Sequence, residues 1–386
     1  MDVKQIRHRS NMAKRVAVLS EIRQLCCLRM PAQQVMPLLL KTLHRFIPSY
    51  TNLFDWVDGE YQISNYYSEG PICPEAARLY FQEFYNKRER EVMPGFSEQV
   101  RTGRGVINSE AISNGTFYRS DFYNEIWRPR QVHHKLEAII RQCDRTLGSL
   151  VLYRRSDEAP FTTREERMLE RLIPYVAHAV SNGDEYEGQY TASGETGLVV
   201  VNDRGTMLYR CPEGRRLLYL ASHPVVDPAM VASDTDEPGI LHLLSTLSSA
   251  LVDTTRGAPG SAPVLQHRNG WGRFTFRAYW LEGCATGNGL IGIAIERQVP
   301  FPLRIAEALQ DFPLSIRQRE LCALLAQGAT YKAIAKLMHL SEHTVISYAR
   351  VIYDKLDLNG REKLVRKLLV PAGVPNHAIG SLAVVS

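Results

Sequence analysis

A mixed α+β chain closed by an all-α module is the fold class this sequence predicts, and three observations carry it. Up to residue 299, hairpin signals alternate with helical periodicity. After Pro300 the pattern is helical alone. The net charge of +5 also belongs to the helical part: residues 314–369 hold ten Lys or Arg against five Asp or Glu, and the remainder balances at 36 against 36. A basic excess on one small module is the footprint of a polyanion partner.

A chain of 386 residues is long for one domain, so two or three are expected. No apolar run approaches the roughly 18 residues that span a bilayer. In the basic first 30 residues the longest apolar stretch is Val16–Leu19, too short for a secretory core, so a cytoplasmic protein with no membrane partner is expected. The seven cysteines are scattered without a C-x-x-C pair, which speaks against a zinc ribbon or a disulfide framework and for free, buried thiols.

Along the chain, helices are expected over 13–28, 35–46 and 75–90. "YTNLFDWV" and "EYQISNYY" form a hairpin about Asp58-Gly59, and "KLEAIIR" and "LGSLVLYR" form another across "QCDRT". "PFTTREERMLERLIPYVAHAV" reads as one long helix, with Thr162 or Thr163 as N-cap and Glu166 placed for a capping box. The polar residues 181–196 have a linker's composition. Beyond them come a strand "GLVVV", a turn "NDRG", a strand "TMLYR", helices in "EGRRLLYLAS" and "ILHLLSTLSSALV", a loop "DTTRGAPGSAP", and strands "GRFTFRAYWL" and "GLIGIAIERQ" about a glycine-rich turn at 283–289.

Catalytic chemistry finds no footing: the chain has no G-x-x-x-x-G-K-[ST] loop, H-E-x-x-H or G-x-S-x-G elbow, so no enzyme and no catalytic residue is expected. His133 and His134 are adjacent on an expected strand and would point to opposite faces, so no metal site and no cofactor is expected. Trp56, Trp127 and Tyr279 read as core side chains, with a pocket wall as the alternative.

Four helices are expected after residue 313. Ser315 caps the first, with Leu321, Leu324 and Leu325 inward and Gly328 just past its end. Thr330 caps the second, its inward face being Ile334, Leu337 and Met338. Ser341 caps the third, 342–356, and a fourth runs over 361–369. Two helices across so tight a turn describe a helix-turn-helix. "LSIRQRELCALLAQGATYKAIAKLMHLSEHTVISYARVIYDKL" resembles the LuxR-type helix-turn-helix domain of bacterial transcription regulators. Leu314-Ser315, Arg319-Glu320, Ala326-Gln327-Gly328, Ile334-Ala335, Ser341, Thr344-Val345, Ile352-Tyr353 and Lys355-Leu356 stand in register with it. The chain departs where the family commonly has Lys and His, at Ile346 and Tyr348, and where it has glycine, at His339 and Asp357.

At about 100° per residue, Val345, Ala349, Ile352 and Leu356 form one stripe of the third helix. The opposite face presents His343, Ser347 and Arg350, bordered by Ile346, as the base-facing set; Tyr348 flanks the core. The resemblance implies phosphate contacts from Lys332 and Thr344, to which Tyr348, Lys336 and Lys355 are added from their position and charge. Double-stranded DNA and a homodimer are the implied partners, with RNA polymerase a further candidate.

Upstream, "TLGSLVLYRRSDEAPFTTREERMLERLIPYVAHAV" is similar to a GAF-like sensory domain, and "GLVVVNDRGTMLYR" with "GRFTFRAYWL…GLIGIAIER" resembles a PAS domain. These imply a small-molecule effector of unknown identity. The expected domains are 1–182 (GAF-like), 196–299 (PAS-like) and 310–370 (helix-turn-helix), with 371–386 a disordered tail. A second reading stands beside the regulator: a ligand sensor whose helical module docks protein instead of DNA.

Overall fold

The computed structural model describes residues 3–69, 74–103, 105–183, 185–223, 225, 238–255, 263–281 and 290–369. The expected turn at 283–289, most of the loop after residue 255 and the expected tail lie outside these residues. The chain divides into two compact units, Met1–Tyr186 with Glu195–Arg297, and Glu187–Gly194 with Gln298–Ser386.

In the first unit, helices α1 (Val3–Cys26) and α2 (Ala32–Phe46) precede a five-stranded antiparallel sheet of order β2-β1-β5-β4-β3. Its strands are β1 (Thr51–Val57), β2 (Ile63–Ser68), β3 (Val106–Asn108), β4 (His134–Gln142) and β5 (Arg145–Arg154). The Asp58 carboxylate closes the first hairpin by accepting from the N–H groups of Glu60 and Gln62. The second hairpin is tighter than expected: Gln142 pairs with Arg145, so only Cys143 and Asp144 form the turn, with Cys143 left-handed.

The expected helix over 75–90 is broken. An α-helical part, α3 (Pro74–Leu79), passes into a π-turn at Tyr80–Phe84 and stops, with Asn86 left-handed. The cause is Glu89, a buried carboxylate that accepts from the backbone N–H groups of Asn86 and Phe96, each at 2.7 Å, and so folds the chain back on itself. A short helix, α4 (Phe96–Thr102), follows. The long helix expected after Pro160 is two, α5 (Thr163–Glu170) and α6 (Ile173–Ser181). Pro174 lies in the first turn of α6, where its missing N–H costs nothing; in one continuous helix it would break the bond to the Glu170 carbonyl. Thr162 is the N-cap, which places Glu165, not Glu166, at the third helical position, and the capping box forms there.

The polar stretch read as a linker is a strand from Tyr190 onward, β6 (Tyr190–Val201). Composition misleads here because Glu195 is held by Arg216 and Arg297, each at 2.8 Å. The second sheet has the order β7-β6-β10-β9-β8, with β7 (Met207–Arg210), β8 (Val264–Asn269), β9 (Gly272–Leu281) and β10 (Leu290–Pro300). Helices α7 (Pro212–Ser222) and α8 (Pro238–Thr255) fall where their periodicity puts them. Strand β8 is an addition to the expected elements; it pairs with β9 from Val264↔Arg277 to Asn269↔Gly272. The α+β class holds for both sheets, and no helix among the described residues is long and apolar enough to cross a membrane.

The second unit is helical after β10. It contains α9 (Phe301–Ala308), α10 (Ile316–Ala326), α11 (Tyr331–Met338), α12 (Glu342–Leu356) and α13 (Arg361–Leu369). Ser315, Thr330 and Ser341 each accept a hydrogen bond from the backbone N–H three residues on, which fixes the three starts. The three ends are alike too: Leu324, Ala335 and Tyr353 carbonyls accept from the N–H five residues ahead, across left-handed Gly328, His339 and Asp357. At the last two positions an L-residue holds a conformation that suits glycine. Asp357→Gly is therefore expected to stabilise this unit by about 0.5–1 kcal/mol, seen as a higher Tm; an unchanged or lower Tm would show that the aspartate costs nothing there.

Candidate nucleic-acid interface

The geometry of α12 starts with what its core face does. Val345, Ala349, Ile352 and Leu356 are buried with Leu321 and Leu325 of α10, Ile334 of α11 and Leu364 of α13. Each Val, Ile or Leu among them contributes about 1.5–3 kcal/mol when fully withdrawn from water, so this stripe locks the rotation of α12 about its axis. Cys322 sits in the same core, and burial pushes its thiol up to about 12, which leaves it an inert packing residue.

Once the rotation is locked, the opposite face follows. His343, Ser347 and Arg350 are exposed, and Ile346 is half-buried at their border. Among the described residues Arg350 has no ion-pair or hydrogen-bond partner, so its guanidinium presents all its donors to the outside. Tyr348 is half-buried against the core, on the flank. Thr344 is engaged at the helix start: its N–H donates to the Ser341 hydroxyl at 3.1 Å, and the two hydroxyls lie 2.7 Å apart. Lys332 and Lys336 of α11 are exposed, whereas Lys355 donates to the Gln318 side chain at 2.9 Å and thereby ties the end of α12 to the start of α10. The structure thus gathers His343, Ile346, Ser347 and Arg350 on one face and leaves Tyr348 and Lys355 beside it.

Two expectations need correction. Leu337 is not inward but 62% exposed. The buried sector of α11 lies between Ile334 and Ala335, with Met338 inside it, and Leu337 falls about 100° away from Met338. Tyr279 is 50% exposed and belongs to no core. Trp56 packs edge-on to Phe54, and Trp127 is buried in an aromatic cluster with Phe117 and Phe122. His133 stacks on Tyr118 while the His134 ring meets Glu110 at 2.8 Å, and no cluster of metal-ligating side chains occurs among the described residues.

Among protein families, residues 313–368 match the one described as bacterial regulatory proteins, luxR family. No curated protein sequence matches the chain. Among solved structures, the phage VqmA–DPO complex is similar at 17% identity, covering 49% of this chain and 88% of that one with a TM-score of 0.20. A Vibrio cholerae VqmA dimer free of target DNA follows at 14% identity, 45% and 81% coverage and a TM-score of 0.19. The E. coli DhaR(N)–DhaL complex covers 76% of this chain and 90% of its own at 8% identity and a TM-score of 0.21. Overlaps that slight bear no weight on function, whereas the family match coincides with the four helices built above. Residues 313–368 are a LuxR-type helix-turn-helix domain, and the chain carries this regulatory module downstream of two α+β sheets.

Proposed function

We propose that the chain is a DNA-binding transcription regulator that lays α12 in the major groove as a homodimer, under a signal received by a GAF-like domain over 1–182 and a PAS-like domain over 196–299. The supporting observation is the unpartnered Arg350, exposed beside His343, Ile346 and Ser347 on the face of α12 that the core leaves open. In this reading Arg350 pairs bidentately with a guanine and Ile346 packs on a thymine methyl. Lys332, Lys336, Thr344, Tyr348 and Lys355 hold the phosphates and set the register. A dimer doubles the few base pairs one module reads. RNA polymerase and a small effector are the partners such a regulator would require.

The test is a salt titration of the full chain on random duplex DNA. Each phosphate contact contributes a slope of about −0.9 in log K against log salt, so a fourfold rise in salt is expected to weaken binding by about tenfold or more. A flat profile, or no binding at low salt, would favour the other use of a helical module, the docking of a protein.

A further inference from the structure

The upstream unit holds a cavity of about 180 Å³ against its first sheet, slightly larger than the roughly 150 Å³ cavity that takes up benzene in an engineered protein. Its walls are aromatic, with Tyr66, Tyr80, Phe81, Phe122, Trp127 and Tyr153. Six charged side chains face it too; among the described residues Arg130 has only the Tyr153 ring, 6.0 Å to its centroid, and most of the others are answered by hydrogen bonds or ion pairs. Glu89 accepts from two backbone N–H groups and the Tyr80 hydroxyl. Glu137 accepts from Lys135 Nζ at 2.8 Å and from the Gln99 amide. Arg216 is held by Glu195 and Glu213.

Asp55 differs. It lies in mid-strand on β1, is 9% exposed and lines the cavity, and among the described residues no hydrogen bond reaches its carboxyl. Ser149, opposite it in register, does not help: its buried hydroxyl is unpartnered as well. Once Arg216 is set aside with its own carboxylates, the lining holds Asp55, Glu89 and Glu137 against Lys135 and Arg130, one positive charge short of balance. Burial pushes the Asp55 carboxyl up to about 8, with Glu137 adding to the effect and Arg130 and Lys135 opposing it, so at neutral pH it holds a proton that a cation would displace.

We propose that this cavity binds a small organic cation, a protonated amine on an apolar body little larger than benzene, with its ammonium paired to Asp55 among the aromatic walls. A charge-assisted hydrogen bond is the strongest single contact the free carboxylate can make. Ring faces carry negative quadrupole charge and favour a cation further. A neutral guest would leave the proton on Asp55, and an anion would add to the carboxylates already facing the cavity. The site shares no residue with the DNA-facing helix, so its test does not depend on DNA binding.

Calorimetric titration of the full chain with phenethylamine, 2-phenylethanol, phenylacetate and phenylalanine separates the possibilities. Phenethylamine is expected to bind, with the alcohol and the acid weaker by about tenfold or more. Asp55→Asn keeps the shape and an acceptor but removes the charge; it should weaken the amine by about tenfold or more while the protein melts at or above the wild-type temperature. Arg130→Gln removes an opposing positive charge and should tighten the amine. Equal affinity for the alcohol, undiminished amine binding in Asp55→Asn, or binding of no probe would overturn the proposal. Tighter phenylalanine than phenethylamine would overturn it in favour of a zwitterion.

Discussion

Replacing Glu195 with alanine is expected to destabilise the upstream unit by about 3–5 kcal/mol, the range seen when a buried charge loses its partner. Arg297 is 2% exposed; two of its nitrogens donate to the Trp271 carbonyl at 3.0 and 2.8 Å, and the third meets Glu195 at 2.8 Å. Without Glu195, Arg297 would keep its charge in the interior and lose the carboxylate that meets it at 2.8 Å. Arg216 would suffer too, because it spans Glu195 and the Tyr67 hydroxyl, and Tyr67 and Arg216 both line the cavity. Urea unfolding of the full chain followed by tryptophan fluorescence measures the loss, and a change below about 1 kcal/mol would show the pair to be solvated.

The same carboxylate makes the unit acid-sensitive. Burial opposes its ionisation, but the charges and hydrogen bonds of Arg297 and Arg216 prevail and hold its pKa down to about 2, against an ordinary 4.5. Because the folded value lies below the unfolded one, the stabilisation is complete above pH 4.5 and drains away as pH falls toward 2. It amounts to about 3 kcal/mol at neutral pH. Glu195→Gln should therefore be less stable at pH 7 and should lose less than the wild type between those two values.

Arg350→Ala is expected to cost about 1–3 kcal/mol of discrimination at one base pair of each half-site, or about tenfold to hundredfold in preference. Affinity for random duplex should fall far less, since one charge of several is removed. The fold should be unaffected, because an exposed side chain without a partner leaves no orphan behind. Lys332→Ala provides the contrast: loss of its proposed phosphate contact is expected to lower affinity for all sequences alike. Selection of bound sequences from a random pool, wild type against variant, measures both. Unchanged preference in Arg350→Ala would remove Arg350 from the reading set.

Local chemistry makes the C-terminal module legible in the amino-acid sequence. Caps at Ser315, Thr330 and Ser341 and the stripe from Val345 to Leu356 are relations among residues a few positions apart, and short-range relations survive in any helix-turn-helix. Leu337 is the misplaced residue there, because an eight-residue helix gives too few positions to locate the buried sector. The upstream unit is legible only as alternating strands and helices. Glu89 ends a helix that its own periodicity would continue, and Glu195 sits in a strand whose polarity reads as a linker. The groups that hold Glu195 lie far away in sequence, and the turn that Glu89 closes leaves no periodic trace.

The cavity is the clearest case of what tertiary structure alone decided. Asp55 inside the apolar run of β1, and Lys135 and Glu137 two apart on β4, are visible as residues but not as a site. A charge on a strand reads the same whether its face meets water or an enclosed space. Only the pairing of β1 and β4 on either side of β5 puts those groups on one covered face and decides which of them goes unanswered. Periodicity names both sides of the DNA-facing helix, because it relates residues a turn apart; the pocket needed the partners that long-range pairing supplies.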